Sequence, residues 1–171
     1  MIELSSIRDR HRGQCIAVLG GGPTLLADLK RVPLAAILIG VNQHTMLLNL
    51  DYLVFQDAEI HPVVREAEAP LCTHHRDLAD IYTGIVPDFG LSGGTAVWMA
   101  DFLGAEQIIV CGCDNYTSGR RYWHSKPGAT QPSDGYSGID VWHRVRSLMA
   151  RPEAVRAISG PLTEVFKAYE S

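Results

Sequence analysis

Between Tyr116 and Lys126 the chain gathers Tyr116, Arg120, Arg121, Tyr122, Trp123, His124 and Lys126, a concentration of cations and aromatic faces found nowhere else in it. Arg and Tyr side chains can hold an anion and stabilise negative charge that develops on a departing phosphate. A His, whose ordinary pKa is near 6.5, can take the proton of an attacking hydroxyl. Arg120 and Arg121 are therefore candidate phosphate contacts, Tyr116 and Tyr122 candidate charge stabilisers, and His124 a candidate base. A solvated basic loop around one buried Trp is the plainer alternative.

Two glycine-rich segments could complete such a site. Leu19-Gly20-Gly21-Gly22-Pro23-Thr24 and Ser92-Gly93-Gly94-Thr95 each fall where a strand should hand over to a helix. Backbone N–H groups gather around phosphate at that kind of junction. The first segment lacks the Gly-Lys-Ser/Thr ending of a P-loop and does not match Gly-x-Gly-x-x-Gly, so neither pattern is indicated. It leaves Gly20, Gly21, Gly22 and Pro23 near a ligand and offers Thr24 as a hydroxyl donor. In the second segment Ser92 and Thr95 flank Gly93 and Gly94, which weaken the first turn of a helix, and close approach of a ligand would explain them. A tight turn in the first case and helix packing in the second remain open.

Asn42, Asp57 and Asp114 each fall at or just past a strand end, which places them on one edge of a sheet. Asn42 could read a base or ribose through its amide, and Asp57 and Asp114 could hold ribose hydroxyls or Mg²⁺. Capping of a turn explains any one of them equally well. His44, His61, His74, His75 and His143 show no metal-ligand spacing, and no metal site is assigned. Cys111 and Cys113, two apart on an expected strand, should share a face as buried thiols.

The elements that must position these residues alternate. Residues 14–19 read as a strand, 24–29 as a helix, 34–39, 52–56 and 70–73 as strands, and 59–68 as a helix. Ser92 is a candidate N-cap for a helix with Ala96, Val97, Ala100 and Leu103 on one face and Gly104 just past its end. Residues 107–113 form the next strand. Residues 115–138, rich in Gly and Pro, have no periodicity and suit a lid or a disordered loop. A helix capped by Asp140 runs to Pro152, then a strand at 155–159 and a helix at 161–169. The rhythm implies an α/β, Rossmann-like three-layer fold with a mostly parallel sheet, as one domain over 1–171. Its ligands would lie beyond the carboxyl ends of the strands.

At 171 residues, 46% hydrophobic and with a net charge of −4, the chain is sized for one core and carries no overall field for nucleic acid. Its first residues lack the order of a secretory signal, and no apolar run reaches the ~18 residues of a membrane span. With four cysteines in no scaffold pattern, a cytoplasmic, reducing compartment is expected.

With these residues in hand, the sequence resembles a superfamily of bacterial CMP-sialic-acid-dependent sialyltransferases, archaeal 6-hydroxymethylpterin diphosphokinases and small phage or bacterial proteins of unassigned activity. The shared islands are Gly20-Gly21-Gly22-Pro23-Thr24, Asn42, Ser92-Gly93, and Leu103-Gly104 through Ile108 to Gly112-Cys113-Asp114. The sialyltransferase branch matches further, with Tyr116 and Tyr122 six apart after Gly112-Cys113-Asp114, and His124-Ser125-Lys126 resembling its base segment. The resemblance implies a nucleotide-sugar-dependent glycosyltransferase in which both tyrosines contact the leaving phosphate and His124 is the base. It requires no cofactor, and its partners are a nucleotide or nucleotide-sugar and a small-molecule or glycan acceptor. A Mg²⁺-dependent diphosphokinase acting on a pterin-like alcohol and a non-catalytic nucleotide-binding module are the alternatives. A homo-oligomer is left open.

Overall fold

The computed structural model describes residues 1–113 and 138–170. Their strands are β1 (Ile2–Glu3), β2 (Cys15–Leu19), β3 (Ile37–Val41), β4 (Tyr52–Val54), β5 (Leu71–Thr73), β6 (Ile81–Tyr82), β7 (Gln107–Cys111), β8 (Val155–Ala157) and β9 (Lys167–Ala168). All join one sheet in the order β1-β6-β5-β4-β3-β2-β7-β8-β9. Every neighbouring pair is parallel. The helices are α1 (Leu25–Leu29), α2 (His61–Val64), α3 (Ser92–Phe102), α4 (Gly138–Ser147) and α5 (Leu162–Val165). This is the Rossmann-like α/β arrangement that the alternation implies.

The central strands read as continuous apolar runs because both faces of a parallel sheet are covered. Ile16, Val18, Ile39, Val41, Ile108 and Val110 pack with α3, α4 and α5 on one side. Ala17, Leu19, Ile109 and Cys111 pack with Leu25 of α1 on the other. Farther along that second side, Leu53, Phe55 and Leu71 meet Val64 of α2.

Helix α3 is buried on nearly every side, with only Trp98 partly open. A helix apolar all round must be enclosed, and α4 does the enclosing from outside. A Cβ on Gly94 would stand 2.7 Å from Val145 Cγ2, and one on Gly93 would stand 3.3 Å from Trp142. The close approach that these two glycines permit is therefore made by α4. At the far end of α3, the buried Asp101 Oδ2 accepts the Ala150 N–H at 2.7 Å and the Arg151 N–H at 3.3 Å. Arg151 Nη2 returns to the Asp101 carbonyl at 2.8 Å and lies 3.1 Å from Oδ1. The carboxylate thus fixes where the chain turns after α4.

Several expected boundaries move. Ser92 opens α3 as its first residue, and Leu91, with extended backbone, is the N-cap. Gly104 does end the helix, in the left-handed region at φ 86°. Asp140 lies inside α4, whose first residue is Gly138. The expected helix at 59–68 is a 3-10 turn followed by the short α2, with Pro62 in its first turn. The one at 161–169 shrinks to α5, because Lys167 and Ala168 leave it to pair with Arg156 and Ala157 of β8. Cys111 and Cys113 do not share a face: Gly112, at φ 60°, turns the chain after β7. Cys111 consequently faces the α1 side and Cys113 the α3 side. The two-residue strands β1 and β6 are too short to show any period. No helix among the described residues is long and apolar enough to cross a membrane.

Gly94→Ala should lower stability by about 1–3 kcal/mol through overpacking against Val145, although Ala is intrinsically the better helix former by about 1 kcal/mol. Gly93→Ala, which meets only the rim of the Trp142 ring, should change it by less. Urea unfolding of the two variants side by side checks the order.

Candidate functional site at the carboxyl edge of the sheet

From β2 the chain winds outward through β3, β4, β5 and β6, and later through β7, β8 and β9 in the opposite direction. The switch point lies between β2 and β7, and the crevice beyond their carboxyl ends is where such sheets take ligands.

Two glycine turns cross there. The Gly20 N–H donates to the Cys111 carbonyl at 2.8 Å and the Gly22 N–H to the Gly112 carbonyl at 2.7 Å. A Cβ on Gly20 would lie 2.6 Å from the Gly112 carbonyl oxygen, and one on Gly112 would lie 2.6 Å from that of Gly20. These two glycines exist for each other. Beneath the crossing is Asp28, on α1 and buried. Its Oδ2 accepts the Gly112 N–H at 2.9 Å, the Thr24 hydroxyl at 2.9 Å and the Ser159 hydroxyl at 2.8 Å. Thr24 thus spends its hydroxyl proton inside the fold.

The turn after β3 packs beside the first glycine turn, since a Cβ on Gly21 would sit 2.6 Å from His44 Cβ. In that turn Asn42 holds a left-handed backbone, φ 57°, a conformation that Asn tolerates better than most residues. Its N–H donates to the Val54 carbonyl at 2.9 Å. Its side-chain Oδ1 is buried and accepts no hydrogen bond from the described residues. A buried carbonyl without a donor is unfavourable unless a ligand supplies one.

Along the same edge, Gln56, Asp57, His74, Thr83, Val86, Pro87, Asp88, Gly90 and Thr95 enclose a cleft of about 360 Å³. Gln56 is held from two directions: His75 Nε2 donates to its carbonyl at 2.6 Å, and its own Nε2 donates to Thr95 Oγ1 at 2.7 Å. Asp88 Oδ1 accepts the Gly90 N–H at 2.9 Å. Partial desolvation lowers the pKa of His74, an exposed residue at the cleft, from its ordinary value, and the neighbouring His75 ring lowers it further, while Asp88 and Asp57 oppose the shift. The first N–H groups of α3, at residues 92–94, have no acceptor within their own helix, as at any helix start, and they begin beside this cleft.

The fold therefore brings Gly20, Gly21, Gly22 and Thr24 to the switch point, Asn42 to the adjoining turn after β3, and Asp57 and Thr95 to the cleft next to it. Asp114, Tyr116, Arg120, Arg121, Tyr122 and His124 lie outside the described residues. Asp28, Ser159, Thr83 and Asp88 are absent from the sequence reading, and His74 enters it only as a histidine without metal-ligand spacing. Asp28 had a signal, standing four residues after Thr24 and so on the same side of a helix; Ser159 had none. Among the described residues no three His, Cys, Asp or Glu converge as metal ligands. All four cysteines are free thiols, and burial pushes those of Cys72 and Cys111 far up from their ordinary range.

This architecture is similar to that of a sialyltransferase. The apo crystal structure of the α-2,3-sialyltransferase from Campylobacter jejuni matches it with a TM-score of 0.56 and 16% sequence identity, over 92% of this chain and 80% of that one. At that identity the likeness is one of fold. No protein-family model matches the sequence, and no curated protein matches it.

Asp28→Ala should cost about 2–4 kcal/mol, because it strands the Gly112 N–H and two hydroxyls in a buried place; chemical denaturation measures it, and a loss below about 1 kcal/mol would refute the anchoring role. His74 should titrate below the ordinary value of about 6.5, and lower still in Asp88→Asn, since the Asp88 carboxylate raises it. A depressed histidine binds fewer protons folded than unfolded, so its contribution to stability falls as pH drops below about 6.5. Imidazole chemical shifts followed against pH check both signs.

Proposed function

We propose that this protein is a nucleotide-sugar-dependent glycosyltransferase of the sialyltransferase-like kind, with its nucleotide in the crevice between β2 and β7. The observation that carries this reading is Asn42. Its backbone is held left-handed in the turn after β3, beside the first glycine turn, while its buried Oδ1 accepts nothing from the described residues. A nucleobase amine or a ribose hydroxyl would supply the missing donor.

In such a transfer the acceptor's hydroxyl oxygen bonds to the anomeric carbon as the bond from that carbon to phosphate oxygen breaks. The nucleotide leaves with the bonding pair, and the hydroxyl proton passes to a base. Residues 20–24 form the floor of the crevice, and the amides of residues 92–94 supply partial positive charge. Asp114 takes ribose hydroxyls, and Asp57 stands in the neighbouring cleft. Tyr116 and Tyr122, with Arg120 and Arg121, meet the charge on the departing phosphate, and His124 receives the proton. The fold likeness to a sialyltransferase supports this reading.

The test is thermal stabilisation by CMP in the presence of chelator, together with release of CMP from a CMP-sugar, since binding to the native state alone raises the melting temperature. Stabilisation and release are expected, and Asn42→Gly, which keeps the left-handed backbone, should lose most of the stabilisation. Stabilisation by ATP only with Mg²⁺ would replace this reading with a diphosphokinase. Binding without release would leave a nucleotide-binding module.

A further inference from the structure

The cleft beside the crevice has a composition that selects its occupant. Its polar lining is two carboxylates, Asp57 and Asp88, one carboxamide, Gln56, two hydroxyls, Thr83 and Thr95, and the imidazole of His74. Neither Lys nor Arg is among the described residues that line it. Val86 and Pro87 add an apolar wall. Its volume of about 360 Å³ lies at the small end of the ~300–1,000 Å³ usual for small-molecule sites.

Carboxylates accept hydrogen bonds and repel anions, and the two of them outweigh the roughly half positive charge of the α3 N-terminus beside them, so this cleft disfavours a phosphate, a nucleotide or an acidic sugar. Hydroxyl groups suit it, because each can donate to a carboxylate in a charge-assisted bond worth more than a neutral one. The hydroxyls of Thr83 and Thr95, both buried, can give or accept as the ligand requires. The C–H face of a sugar ring matches the wall of Val86 and Pro87. The lining is also held in place: Gln56 is fixed by His75 and Thr95, and Asp88 by the Gly90 N–H. The downward shift of the His74 pKa leaves the ring neutral at neutral pH, so it adds no positive charge and can accept a hydroxyl proton donor.

We infer that the cleft bounded by Gln56, Asp57, His74, Thr83, Asp88 and Thr95 binds an uncharged, polyhydroxylated ring, the acceptor sugar of the transfer. The acceptor role rests on the glycosyltransferase reading above; the binding of a neutral sugar does not. The cleft and the crevice share one edge of the sheet, which leaves the donor's anionic parts to the crevice and the acceptor's hydroxyls to the cleft.

The experiment is a titration of the full chain with glucose, galactose and N-acetylglucosamine, and with glucuronate as the anionic control, followed by backbone amide chemical shifts, with and without CMP. At least one neutral sugar should shift the amides of residues 56, 74, 83, 88 and 95, and glucuronate should bind about tenfold more weakly or not at all. Asp88→Asn keeps an oxygen for the Gly90 N–H and should weaken the sugar about tenfold while CMP stabilisation stays as in the parent protein. Val86→Trp, which fills the cleft from its apolar side, should abolish the sugar response and spare CMP. Glucuronate binding as well as the neutral sugars would overturn the inference. So would the absence of any sugar response, with or without CMP, in protein that CMP stabilises; the transferase reading would then stand without this cleft. A sugar response at these residues in protein indifferent to every nucleotide would uphold the cleft and overturn the transferase reading.

Discussion

Two carbonyl oxygens and two missing side chains govern how this molecule is put together. Gly20 and Gly112 cross where the central strands β2 and β7 end, each so near the other's carbonyl that a single methyl group on either would collide. The strands can end together only because both positions lack a Cβ, and Gly112 must in addition take a left-handed backbone. Asp28 holds the arrangement from below, and its carboxylate is tolerated in the interior because one oxygen receives three donors. The floor of the crevice is thus rigid backbone, with the N–H groups of Gly20, Gly22 and Gly112 spent on holding it together.

A second consequence concerns α3. Lodged between the sheet and α4, it has almost no solvent face, and its glycines are committed to Trp142 and Val145. The helix is therefore a strut. Its first turn stands at the cleft and its last is tied through Asp101 to the segment after α4. A shift of α4 would be transmitted to Thr95, and through it to Gln56, by packing and one hydrogen bond.

Much of this was legible in the sequence, for reasons that can be named. The central strands and the first glycine turn declare themselves, because apolar runs ending in glycine have few other uses. Asn42 was legible as a residue at a strand end. What escaped was whatever depends on pairing partners. Whether glycines 93 and 94 serve a ligand or helix packing stayed open, because nothing local says that a helix some 45 residues later will lie against their Cα atoms. Lys167 and Ala168 read as helix, because a two-residue edge strand is defined by its neighbour β8 rather than by its own pattern. His74 and Asp88 escaped because the cleft is made by loops after three different strands, and exposed polar residues in loops are ordinarily just solvated.

The sheet closes on strands of very modest size. Its outermost members, β1 and β9, are two residues each. Just past β9, Tyr169 donates its N–H to the Ala157 carbonyl, while Arg31 bonds the Tyr169 carbonyl and lies over its ring. A parallel sheet nine strands wide would ordinarily offer long rows of unpaired peptide groups at its margins, open to further strands. Here each margin of the described sheet tapers to two residues, so another strand would find little template along either one.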